Sequence, residues 1–162
     1  MPDKFTAADL INMAIGIERS GITFFDIMAR TTDSDATRDI FEQFVGMERQ
    51  HLALYQDMLT QLNEVSASIA LTPESESYVR ALVEGAVFSS DAAMDEAITQ
   101  ADSDSRALEV GIRAEKDSIL FYQAVKDALP TAVTGPVEKI LEEEKIHFTR
   151  LAEIKKRLDS GG

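Results

Sequence analysis

Apolar side chains along this 162-residue chain recur at intervals of three and four, while the period-two alternation expected of strands is weak. The pattern predicts four long amphipathic helices. The first runs from about Ala7 to Arg30 and opens on Thr6-Ala7-Ala8-Asp9, where a hydroxyl and an acid three residues later form a capping box. Its inward stripe reads Ile11, Ala14, Glu18, Ile22, Phe25 and Met28. After a polar turn, with Ser34 or Asp35 as cap, the second spans about Ala36 to Leu62. Its stripe is Phe41, Val45, Glu48, Leu52, Tyr55, Leu59 and Leu62. The third follows Asp102-Ser103-Asp104, ends before Pro130, and carries Leu108, Ile112, Glu115, Ile119, Tyr122 and Leu129. The fourth starts at Gly135-Pro136, where the missing proline N–H would have been unsatisfied anyway. It carries Val137, Leu141, Glu144, Phe148, Leu151, Ile154 and Leu158.

Each stripe contains one residue foreign to a core: Glu18, Glu48, Glu115 or Glu144. The only two histidines, His51 and His147, follow Glu48 and Glu144 by three residues, which places each on its glutamate's helix face. Folding would bury four carboxylates together. Unpaired charges are very costly in an apolar interior, and like charges side by side repel. A cation must compensate them. A single Glu-x-x-His on a helix is usually a solvated face. Two of them, each inside an apolar stripe and each matched by a helix bearing another inward glutamate, point instead to a dinuclear metal site. Glu48 with His51 and Glu144 with His147 could each hold one ion, with Glu18 and Glu115 capping or bridging. In Glu142-Glu143-Glu144 only the last has the inward register, so the first two read as surface charge.

About forty residues, from Asn63 to Asp102, separate the second helix from the third, and within them Glu74 to Ser89 and Asp91 to Ala101 look helical. The turns inside each helix pair are short. The chain is thus expected to be all-α: two antiparallel hairpins joined by a long, partly helical crossover, forming one domain over residues 1–162. An internal repeat agrees. Aligning Glu18 on Glu115 puts Ile22 on Ile119 and Phe25 on Tyr122; aligning Glu48 on Glu144 puts Phe44 on Ile140 and His51 on His147.

Composition narrows the function. With no cysteine, disulfides, iron–sulfur clusters, thiolate zinc sites and a cysteine nucleophile are excluded. A formal charge of −13 argues against nucleic acid and anionic membranes as partners. No apolar run approaches the ~18 residues of a membrane span, and Met1 to Lys4 opens polar, so a soluble, cytoplasmic protein is expected. Ser160-Gly161-Gly162 reads as a frayed end. Carboxylate and imidazole ligands without sulfur suit two iron ions, with manganese or zinc also accepted. Tyr122, two turns beyond Glu115, is the leading candidate catalytic side chain and Tyr55 a weaker one; otherwise Tyr122 is core, as are Phe25, Phe121 and Phe148.

The set Glu18, Glu48, His51, Glu115, Glu144 and His147, with Glu115-Lys116-Asp117-Ser118-Ile119-Leu120-Phe121-Tyr122, resembles the rubrerythrin-like branch of the ferritin-like superfamily. The resemblance spans nearly the whole chain. It implies a ferritin-like bundle, di-iron redox chemistry with dioxygen or hydrogen peroxide, an external electron-transfer protein and a homodimer. Two departures stand out. The cysteine-rich rubredoxin domain of full rubrerythrins has no counterpart here, and Ser118 stands where they carry a further glutamate associated with the peroxidase cycle. The leading expectation is a small di-iron oxidoreductase. Its alternatives are a ferroxidase and iron-storage protein of the bacterioferritin type, for which the expected fifth helix is missing, and a non-catalytic metal-stabilised helical scaffold.

Overall fold

The capping box at Thr6 forms: Asp9 N donates to Thr6 Oγ1 at 3.1 Å and Thr6 N donates to Asp9 Oδ2 at 2.8 Å. It starts the first of six α-helices in the computed structural model, which describes residues 5–65 and 71–161. These are α1 (Ala7–Thr31), α2 (Asp35–Val65), α3 (Pro73–Gly85), α4 (Asp91–Gln100), α5 (Asp104–Ala128) and α6 (Gly135–Asp159), with a short 3₁₀ turn at Thr131–Val133 before the last. No strand occurs among the described residues. Met1 to Lys4 and Gly162 lie outside them.

Of the two caps open for α2, Ser34 serves, its Oγ accepting from Thr37 N at 3.2 Å. Ser90 and Ser103 cap α4 and α5 in the same way. The expected helix to Ser89 stops earlier, at Gly85, because the next N–H groups find other acceptors. Val87 N donates to the Asp117 carboxylate on α5 at 2.8 Å, and Ser89 N to Ala86 O at 3.1 Å. That turn pins the crossover to the bundle.

Helix α1 packs along α2 and α5 along α6, giving the two expected hairpins, which meet chiefly through α1 against α5. The crossover helices α3 and α4 both rest on α5, and α4 also reaches α1. This is a ferritin-like four-helix bundle with a helical crossover strapped over its α1/α5 side. Its apolar interior is divided in two. One cluster gathers Leu10, Ile11, Tyr55, Tyr122 and Ile140 with their neighbours, the other Phe24, Phe25, Phe41, Phe44, Leu108 and Leu151. The glutamate–histidine layer belongs to neither. At Gly111 the bundle closes tightly: a Cβ there would stand 3.1 Å from the Phe25 ring.

Three expectations at the periphery change. Leu158, read as the last rung of the α6 stripe, is 42% exposed. A seven-residue spacing drifts by about 20° per heptad on a straight helix, so two heptads beyond Glu144 the side chain has turned outward. Phe148 is half-buried rather than core. Ser160 and Gly161 are not frayed: Ser160 N donates to Lys156 O, Gly161 N donates to Leu158 O, and Gly161 takes φ 73°, the left-handed conformation that glycine adopts freely to end a helix. No helix among the described residues is long and apolar enough to cross a membrane.

Phe41 is fully buried against Phe25. Phe41→Ala is expected to lower the unfolding free energy by about 3–5 kcal/mol while leaving metal stoichiometry unchanged, as denaturant titration and metal analysis would measure.

Candidate metal centre

Burial of four glutamates in one layer follows from register alone, because each takes the place of a leucine on an inward stripe. In the folded chain Glu18, Glu48, Glu115 and Glu144 are all at most 5% exposed, as are His51 and His147. Their donor atoms form two four-residue sets, each with its atoms within 4.8 Å of one another: Glu18, Glu48, His51 and Glu144, and Glu48, Glu115, Glu144 and His147. Glu48 and Glu144 belong to both. The arrangement suits two ions, with Glu48 and Glu144 shared between them, Glu18 and His51 on one side, and Glu115 and His147 on the other.

The histidines present Nδ1 to the centre. His51 Nδ1 lies 3.1 Å from Glu144 Oε1 and 3.7 Å from Glu18 Oε2, and His147 Nδ1 lies 3.2 Å from Glu144 Oε2. The two rings stack with centroids 5.2 Å apart, as the repeat requires. Tyr122 is fully buried beneath the layer and donates its hydroxyl to Glu18 Oε1 at 2.5 Å. Tyr55 packs against it at 5.2 Å between centroids, its own hydroxyl without a hydrogen-bond partner among the described residues.

Electrostatics expose the problem that this layer poses to the fold. Burial, reinforced by the charges of neighbouring glutamates, pushes the carboxyls of Glu48 and Glu115 well above their ordinary values. Burial would lower the His51 imidazole, but Glu144 and Glu18 outweigh it and push it up to about 10. Burial would raise Glu144, yet Glu115 and the two imidazoles hold it well below the carboxylate range. Without metal, then, the layer keeps protons on some groups to neutralise others. Glu18 Oε2 and Glu115 Oε2 still lack hydrogen-bond partners among the described residues. Orphaned buried oxygens carry a desolvation cost, and two divalent ions would supply both oxygens with ligands while balancing four carboxylate charges. The donor set therefore fits a metal pair.

One contributor contradicts its sequence reading. Glu143 is not surface charge: its carboxylate reaches across from α6 to His51 Nε2 at 2.9 Å, with 38% of its side chain exposed. Its position on the helix, just beside the inward face, conceals a contact that only the packing of α6 on α2 creates. A carboxylate on the outer ring nitrogen fixes which nitrogen faces the metal and raises that nitrogen's basicity. The repeat places Met47 at the equivalent position, and no carboxylate among the described residues approaches Nε2 of His147. The two halves of the centre are unequal for this reason.

Glu143→Ala is expected to weaken one of the two metal sites by about 10–100-fold, seen as a split in a competitive chelator titration. A pH effect is also expected in metal-free protein. His51 has a folded value raised from 6.5 to about 10, so its contribution to stability is complete below about pH 6.5 and is lost as pH rises towards 10. Thermal melts of chelated protein should fall across that window, and metal should abolish the fall.

Comparison with known proteins agrees with this geometry. The chain superposes on a crystal structure from Thermotoga maritima, described provisionally as a ferritin-like diiron-carboxylate protein, with a TM-score of 0.73 and 23% identity over 96% of this chain and 98% of that one. At that identity the likeness speaks for the fold. No curated protein matches the chain significantly. The family model for rubrerythrin matches residues 9–155, from the first turn of α1 to the last turns of α6 and across all six inward ligand candidates. This chain belongs to the rubrerythrin family.

Proposed function

We propose that the chain is a di-iron carboxylate oxidoreductase that reacts with dioxygen or hydrogen peroxide and draws electrons from an external electron-transfer protein. The observation that carries this reading is the pair of four-residue donor sets that share Glu48 and Glu144. Two ions bound there would sit side by side, close enough to act on one small molecule. A ferrous pair supplies two electrons, which with two protons convert one hydrogen peroxide to two waters. Oxygen and nitrogen ligands without sulfur suit iron, and manganese or zinc would also bind.

The chain's own groups divide the remaining work. Glu48 and Glu144, common to both donor sets, would hold the pair together, with Glu18 and Glu115 as further carboxylate ligands. Glu143 holds His51 in orientation through its Nε2. Tyr122 touches Glu18 directly, so its hydroxyl can restrain that carboxylate or pass it a proton. The apolar clusters above and below shield those two sides of the layer from bulk water.

Apoprotein loaded anaerobically with ferrous iron is expected to bind two irons per chain and, on addition of peroxide, to develop near-ultraviolet absorption of ferric iron. Absence of that absorption at full loading would overturn the redox assignment. Glu48→Ala and Glu144→Ala should each lower metal content below two per chain, whereas Tyr122→Phe should keep both irons and oxidise at a changed rate. Two metals retained in both alanine variants would show the site to be misassigned.

A further inference from the structure

Beside the carboxylate layer a cleft of about 250 Å³ opens between α1, α5 and the crossover. A buried cavity of ~150 Å³ is enough to bind benzene, so this space is far larger than a passage for dioxygen requires. Small side chains create it. Gly16, Ser20 and Gly21 form one wall on α1, facing Ala114 and Ser118 on α5. Gly21 and Ser118 are equivalent in the repeat, each three residues after a capping glutamate. Ser118 also occupies the position at which the resemblance calls for a glutamate, and a carboxylate there would fill the space.

The walls are chemically quiet. Ser118 Oγ donates back to Ala114 O at 3.1 Å, and the Val87 N–H is taken by Asp117. Ile17, Leu82, Val83 and Phe88 complete an apolar lining. At the inner end the cleft meets Glu48 and Glu115. Glu115 is 2% exposed and its Oε2 has no hydrogen-bond partner. Those carboxylates, in a chain of net charge −13, disfavour an anionic occupant.

We propose that this cleft binds a neutral, chiefly apolar organic molecule of about ten carbon atoms, scaled from the ~150 Å³ that holds benzene. One end of the molecule abuts Glu48 and Glu115, which makes the cleft an organic-substrate site of the metal centre. The binding stands on the cleft alone; the substrate role rests on the di-iron reading.

The test titrates metal-loaded protein calorimetrically with straight-chain alcohols from 1-butanol to 1-decanol. Saturable binding of one alcohol per chain is expected, tightening about fourfold per methylene until the cleft is filled. Gly16 is exposed at the rim of the cleft, where an added Cβ meets nothing within 4 Å, so Gly16→Phe should obstruct the cleft without disturbing a ligand. Its metal content should match the parent, and its affinity for the longest alcohols should fall by at least the factor of about 60 that three methylenes carry. Gly16→Ala should bind like the parent. In manganese-loaded protein the bound alcohol's proton resonances should relax faster than in zinc-loaded protein.

Absence of saturable binding, or parent-like affinity in Gly16→Phe, overturns the proposal. So does a dimer that Gly16→Phe abolishes and alcohols do not perturb, because a second copy would then cover the cleft. Equal relaxation with the two metals, with binding intact, overturns the placement beside the centre. Alcohol binding by protein that takes up no metal would sink the di-iron reading and leave the cleft standing.

Discussion

Four carboxylates and two imidazoles confined to one buried layer between two apolar clusters set the terms for the rest of this molecule. The helices bring the carboxylates together because each occupies a leucine position, and the hydrophobic burial of the rungs above and below leaves them little contact with water. Charge repulsion and desolvation then demand either protons or cations. The upward displacement of Glu48, Glu115 and His51, together with the downward displacement of Glu144, describes a layer that compensates itself with protons. The same groups, stripped of protons, could hold metal ions. Stability and metal affinity are consequently two readings of one electrostatic balance.

Around this layer the duplicated hairpins impose an approximate two-fold relation, and the departures from it are informative. Glu143 braces His51, whereas its counterpart Met47 has no polar group to offer His147. Tyr122 donates to Glu18, while its repeat partner Phe25 lies among the phenylalanines of the other cluster. One side of the centre thus carries a hydrogen-bonded surround on both its histidine and its terminal glutamate. The other is held mainly by packing. Two metal ions held there by symmetric donors in unequal surroundings would differ in affinity and charge preference.

The crossover contributes more than connection. By resting on α5 and tying the Val87 N–H to Asp117, it encloses with α1 and α5 a cleft that ends at Glu48 and Glu115. Burial of Asp117 raises its carboxyl, opposed by the Val87 N–H it accepts. The anchor therefore lies in a partly desolvated position, where a charge-assisted hydrogen bond is stronger than at the surface.

Much of this was legible in the chain before folding. Helical periodicity, the Thr6 box and the serine caps are local, and the intrusion of Glu18, Glu48, Glu115 and Glu144 into apolar stripes is a one-dimensional signal of a three-dimensional layer. The paired Glu-x-x-His spacing needs no tertiary information, because both side chains share a helix face. What periodicity could not convey was anything depending on the distance between helices. Glu143 reads as surface charge until α6 lies against α2. The sharing of Glu48 and Glu144 is a matter of ångströms between four backbones, and the outward turn of Leu158 reflects drift around a straight helix. The cleft is emptiness left by small residues on two helices 97 positions apart in the repeat, and no pattern along one helix records the space between two. Local physics chose the elements and the ligands; packing chose which ligands touch, which histidine is braced, and where the centre opens.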